Sequence, residues 1–537
     1  MRRLLLSLVA CLLAAPAMSS SPGSEAPAQP PFSFQPPKGW DRLPVMLHEV
    51  HHVGRWISNA SKPHLYAGQS GGEPTMRDHC HSVLDVLAFA KGAGHPAIER
   101  VHPNHAALLA AELPGIQLAS KGAVAATGFD CQGFECVLYG DANGTPQRLL
   151  LARACRFGDL ELVFQLRCTP TNRVEAEGAL AGAVASLKLV EDGRSSLDLA
   201  PPRPAILGRP LSGSTPVEFA RSLAEQSQAI DDWTKAALPP GWKLLVEKDL
   251  RVVHTGGAGP AKELLRDMVA LQGWLEGVFG AHVRGKAGRP VVVTLHPDLR
   301  FELSRRGEWR GEFESRRELQ SMPFSVVSCT GGGGEDEWAH DLAGRGVLDA
   351  WFADRDPDLQ AVLPGWMSLG LGTIAMSMRA KGGASLEPLD REKTGIRTAS
   401  AKDRILPARE ILTRPYPESS HDGARVVGHA EQSCHASQLL RTLSGPATRG
   451  KKPASNLLPN LLACLARGVE RERQAVDAAC AAANPSADAR EAIIAGERRR
   501  QWAPRKEELA RKAVEEAMAD WTAKDWDMLE ALHRAAY

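Results

Sequence analysis

The chain has 537 residues, too many for one hydrophobic core, so two or three domains are expected. Its 64 Lys and Arg balance 63 Asp and Glu. A net charge so near zero gives no reason to expect nucleic acid or an anionic membrane as partner. Small clusters such as Arg498–Arg500 have acidic neighbours and read as solvated helix faces.

Met1-Arg-Arg3, the apolar run Leu4–Ala15 and Ala15-Pro-Ala17 form a signal peptide, residues 1–17, with cleavage after Ala17. Leu8-Val-Ala-Cys11 also resembles a lipobox, but the apolar run continues past Cys11. Export as a free periplasmic or extracellular protein is favoured over a lipid anchor. No later stretch is apolar enough to span a bilayer. All ten cysteines except Cys11 follow the leader, leaving an odd number for an oxidising compartment.

Residues 18–31, rich in Ser, Pro and Ala, are predicted to be an unstructured linker. A first domain spans residues 32–190. Ser82–Lys91, with Val83, Leu84, Val86, Leu87 and Ala90 apolar, is predicted to be helical. Phe134–Tyr139, Gln147–Ala154 and Leu160–Leu166 are predicted strands, and Arg173–Leu187 a closing helix. If Asp141–Thr145 is the hairpin turn, Cys131 and Cys155 face each other and are the candidate disulfide. Buried thiols are the alternative for most other cysteines. The Pro37-Lys-Gly-Trp40 opening, the meander and the final helix resemble the Mog1/PsbP-like α/β sandwich, which implies a binding or scaffold module without catalysis.

His48-Glu-Val-His-His52 matches the His-Glu-x-x-His metallopeptidase motif letter for letter. Its position argues against a metal site. Too few residues precede it for the sheet that walls a zincin cleft, Gly54 interrupts a helix, and Ser58 stands where the extended pattern needs a third His. Surface-loop histidines are the favoured reading, with His48, Glu49 and His52 as zinc ligands and base the alternative.

Residues 191–214, with Pro201, Pro202, Pro204 and Pro210, read as a linker to a second domain, residues 215–537. Its predicted elements are a helix over Pro216–Ala237, a strand over Leu250–His254, a helix over Ala261–Phe279 and buried strands at Pro290–His296 and Phe324–Cys329. The Gly256–Lys262 loop lacks the Gly-Lys-Ser/Thr of a phosphate cradle. Helices follow over Trp338–Phe352 and Trp366–Met376, then His429–Leu443, Asn456–Ala482 and within Pro504–Ala536. His429 and His435 fall on different helical faces, and Trp521, Trp526, Met528 and Leu532 read as a packing stripe.

The order strand, helix, loop, Pro364-Gly-Trp366, helix resembles the catalytic half of gluzincins, the peptidase-MA-like domains. There His-Glu-x-x-His puts two imidazoles one helical turn apart on one zinc, and a Glu from the next helix completes the site. The resemblance puts His340 on the first ligand, Asp341 on the catalytic Glu, Gly344 on the second ligand and Leu369 on the third. Pro364, Trp366, Gly370 and Leu371 keep the frame. Gly344 and Leu369 carry no donor atom, which implies a domain that binds no zinc in the family's way. The expected fold class is α+β: an N-terminal α/β sandwich, then a mixed-sheet and helical gluzincin-like domain. The expected function is non-catalytic binding or scaffolding, with peptide or envelope protein as partner and no cofactor. The alternative is an active zinc peptidase using His48-Glu49-His52 or an atypical site at His340.

Overall fold

The computed structural model describes residues 32–47, 49, 51–60, 62–65, 77–90, 102–112, 118–126, 128–140, 146–190, 216–285, 289–296, 325–330, 336–380, 405–413, 423–445, 448–482 and 505–537, with a few isolated positions between them. The leader, the 18–31 linker and the turn at 141–145 lie outside the described residues. The architecture is mixed α+β.

The first half contains β1 (Phe32–Ser33), β2 (Trp40–Leu43), β3 (His52–Ser58), β4 (Lys62–Leu65), β5 (Arg77–Cys80), β6 (Val83–Ala90), α1 (His105–Glu112), β7 (Ala119–Val124), β8 (Asp130–Gly140), β9 (Pro146–Phe157), β10 (Leu160–Cys168), α2 (Arg173–Ala185) and β11 (Lys188–Leu189). Seven strands form an antiparallel sheet in the order β2-β3-β6-β10-β9-β8-β7. Leu84, Val86 and Ala88 of β6, with Leu162 and Phe164 of β10, pack with Leu180 and Val184 of α2. On the opposite face Leu87, Phe89 and Val163 meet Leu108 and Leu109 of α1. Cys131 and Cys155, register partners on β8 and β9, are joined in a disulfide.

The helix predicted for Ser82–Lys91 is a strand. All residues of β6 are buried, because β3 and β10 flank it and a helix covers each face. A strand covered on both faces loses the apolar–polar alternation that marks a half-exposed one, and its continuous apolar run imitates a buried helix.

The second half runs α3 (Pro216–Ala237), β12 (Trp242–Glu247), β13 (Leu250–Thr255), α4 (Ala258–Phe279), β14 (Val291–His296), β15 (Ser325–Thr330), α5 (Asp336–Arg355), α6 (Pro357–Val362), α7 (Gly365–Ser377), α8 (Ala408–Thr413), α9 (Gly423–Ser444), α10 (Ala454–Ala482), α11 (residues 505–517) and α12 (Ala523–Arg534). The sheet order is β12-β13-β14-β15, with β12 antiparallel to β13 and the other neighbours parallel. Alternate side chains divide its two faces. Leu250, Val252, Val291 and Val293 enter the main core with α4, α5 and α7, while Val253 and Val292 turn towards α3. Arg473 of α10 fixes the C-terminal helices to this core by pairing with buried Asp356, the N-cap of α6, and with Asp358 at 2.6 Å.

The two halves share a core. Val45, Met46 and Leu47 leave β2 as a strap and bury themselves among Ile230, Trp233 and Ala237 of α3 and Val253 and Val292 of the second sheet. The Thr294 hydroxyl donates to Met46 Sδ at 3.1 Å, and the Trp233 indole donates to the Pro201 carbonyl at 2.8 Å. Burying an apolar side chain of this size contributes about 1.5–3 kcal/mol, so the strap is a substantial joint.

Met46→Ala is expected to lower stability in denaturant titration by about 2–4 kcal/mol. A double-mutant cycle with Trp233→Ala should show non-additive coupling of about 0.5 kcal/mol or more. Arg473→Met should cost about 3–5 kcal/mol in the same assay, because Asp356 stays buried without its cation.

Candidate functional site

The positions singled out by the gluzincin resemblance fall on α5 and α7. His340 and Asp341 lie in the first half of α5, and their side chains are outside the described residues. Gly344 follows one turn later and is buried. A Cβ there would lie 2.1 Å from the carbonyl oxygen of Ala375 and 2.7 Å from its carbon. The backbone of α7 therefore occupies the space that a side chain at 344 would need. Arg345 continues the crossing by donating to Met376 Sδ at 3.1 Å.

Leu369 is also on α7, half-buried against the main core. The contact partner of Gly344 is not Leu369 but Ala375, about 9 Å further along the helix axis at ~1.5 Å per residue. Behind α7 stands α9. A Cβ at Gly370 would meet the Ala436 carbonyl oxygen at 2.9 Å. Helix α7 is thus held between α5 and α9 with main chain against main chain on both sides. Trp366 and Met367 are buried in the core, and Arg441 of α9 donates to Ser377 Oγ at 2.7 Å. Among the described residues no group of three or more His, Cys, Asp or Glu side chains is placed to hold a metal ion.

A polar cluster on α9 had no signal in the sequence, because its members are about a hundred residues apart. His435, fully buried, hydrogen-bonds through Nδ1 to the Tyr537 hydroxyl, and Gln438 donates to the Ala536 carbonyl at 2.8 Å. His533, at the end of α12, stacks edge-on to the Tyr537 ring and shares this pocket. The side chain of His429 lies outside the described residues.

The His48–His52 motif is not on a helix. His48 itself is outside the described residues. Glu49 lies in a turn, and His52 opens β3. Without successive helical turns residues i and i+4 are not stacked one above the other, so the spacing does not put two ligands within reach of one metal. Glu49 accepts from the Met46 backbone at 2.8 Å with one oxygen and pairs with Arg55 at 2.6 Å with the other. Arg55 continues to Asp85 at 2.6 Å, and Asp85 to Arg167 at 2.8 Å. Burial alone would raise the Asp85 carboxyl, but Arg55 and Arg167 hold it below its usual range. The motif's carboxylate therefore clamps the strap between the two halves.

Surface exposure of these histidines was the favoured expectation, and it is wrong for the two described. His51 is 3% exposed, and the His52 side chain is 7% exposed, 3.9 Å from Asp85. His51 Nδ1 donates to the Ala88 carbonyl at 3.0 Å, and Nε2 accepts from the His102 backbone N–H at 2.9 Å. Those two bonds require the neutral Nδ1–H tautomer. His51 also stacks on Phe89, with ring centroids 4.3 Å apart. Its φ of 71° places it in the left-handed region, where a chain can reverse sharply into β3.

No protein-family profile matches the chain, and no curated protein does. Among solved structures it shows likeness to cyanobacterial PsbP (CyanoP) from Synechocystis sp. PCC 6803, at 14% identity over 30% of this chain and 86% of that one, with a TM-score of 0.20. It also shows likeness to LpqN, involved in cell envelope biogenesis of Mycobacterium tuberculosis, at 14% identity over 31% of this chain and 87% of that one, again with a TM-score of 0.20. At that score neither likeness bears on fold or function.

Gly344→Ala is expected to force α5 and α7 apart, since the atom in the way is a main-chain carbonyl that cannot rotate aside. The expected loss of stability is about 3 kcal/mol. Gly372→Ala, on α7 with open space around it, is the matched control. It should change the urea midpoint little.

Proposed function

We propose that this is an exported, non-catalytic binding or scaffolding protein whose second half is a gluzincin-like domain without its metal. On this reading peptide or envelope protein is the partner, and neither nucleic acid nor a cofactor is involved. The observation that carries it is the approach of Ala375 to Gly344. Where the family pattern needs an imidazole, the neighbouring helix has taken the volume. At the third-ligand position the side chain is the hydrocarbon of Leu369, and a catalytic zinc needs three protein ligands. In the first half, Glu49 and His52 are engaged by Met46, Arg55 and Asp85, which supports a structural role for that motif.

Metal analysis of the purified full-length protein tests this. Zinc well below one equivalent is expected, with no change for His48→Ala or His340→Ala. One equivalent of zinc, lost in either variant, would identify an active site and replace the binding reading. The double substitution Gly344→His with Leu369→Glu should not create a site. It is expected to lower the melting temperature, because position 344 has no space for a ring.

A further inference from the structure

Helix α12 is fastened to α8 and α9 by polar contacts that converge on two buried imidazoles. His533 is 0% exposed, and its Nε2 donates to the Leu406 carbonyl, just before α8, at 3.2 Å. The other ring nitrogen, Nδ1, is buried with no hydrogen-bond partner. The Tyr537 ring touches both imidazoles, its centroid 5.2 Å from that of His533 and 5.6 Å from that of His435 on α9. Glu530 accepts from the Ala408 backbone at 2.7 Å and from Arg534 at 2.8 Å. Leu529 of α12 is fully buried in the main core.

We propose that His533, with His435 and Tyr537, is a proton-sensitive clasp that holds α12 on α8 and α9 while its imidazole is neutral and releases it on acidification. The carbonyl of Leu406 can only accept, so Nε2 carries the hydrogen and a proton taken up must sit on Nδ1. That nitrogen has no acceptor among the described residues, and a second imidazole, His435, lies close enough to oppose the charge. A new N–H there is buried without a partner, and a charged donor left in that state is strongly disfavoured. The charges around His533 are Glu530, which favours the cation, and Arg534 and His435, which oppose it. Burial outweighs Glu530 and holds the ring down to about 4. Once α12 has lifted away, the ring is an ordinary histidine near ~6.5. The free form therefore binds a proton that the docked form refuses. Docking is at full strength above about pH 6.5 and weakens by up to about tenfold per pH unit as pH falls towards 4.

Hydrogen exchange on the full-length chain between pH 7.5 and 5.0, corrected for the intrinsic chemical rate, reads this directly. Protection of the α12 amides from Leu529 to Arg534 should fall about 30-fold more than that of β10 between pH 7.5 and 5.0. In His533→Gln the amide still donates towards Leu406 but does not titrate, so the extra loss should disappear. Parallel loss in α12 and β10, or an α12 profile unchanged by pH, overturns the clasp. So does a pH slope that survives in His533→Gln. If that variant does not fold, the wild-type ratio of α12 to β10 decides alone.

Discussion

The contact of main chain with main chain at Gly344 sets the geometry of the second half. Helix α7 lies directly against α5 at that residue and directly against α9 at Gly370. Two glycines make this possible by having no Cβ. The close approach buries most of α7 and carries Trp366 and Met367 into the core. The same approach leaves no room for a side chain at position 344.

The strap of residues 45–47 does for the whole chain what α7 does for the second half. It carries three apolar side chains from the first sheet onto the second. A chain of charges runs behind it, from Arg167 through Asp85 and Arg55 to Glu49, and ends on the Met46 backbone. Each charged group in that buried chain has an opposite charge beside it, the condition under which ions persist away from water. The strap is therefore anchored at one end by ion pairs and at the other by apolar burial, and the two halves pack as one body there.

His48–His52 illustrates why a motif is a statement about geometry. The spacing of His-Glu-x-x-His means something only where successive helical turns bring both imidazoles to one side. In this chain a turn and a strand carry it. The neutral ring of His51 is used to hold the approach to α1, and Glu49 is used to hold the strap. The letters match, and the backbone assigns them other work.

More of the second half than of the first was legible in the sequence. The strands β8 to β10 could be read from the Gly turns that bound them, and the helices α3, α4, α7 and α10 and the β13–α4–β14 order from apolar runs and Gly and Pro breaks. Gly344 and Leu369 could be read directly as positions without donor atoms. Three features were decided only in the folded molecule. The run 83–90 became a strand because neighbours cover both its faces, and a doubly covered run has no period to read. The strap joined the halves because α3 and the second sheet, from distant segments, supply the apolar surface that buries it. The cluster of His435, His533 and Tyr537 formed because α12 docks on α9. Local pattern reports whether a face is buried; which partner buries it depends on contacts between distant segments, and no spacing along the chain encodes those.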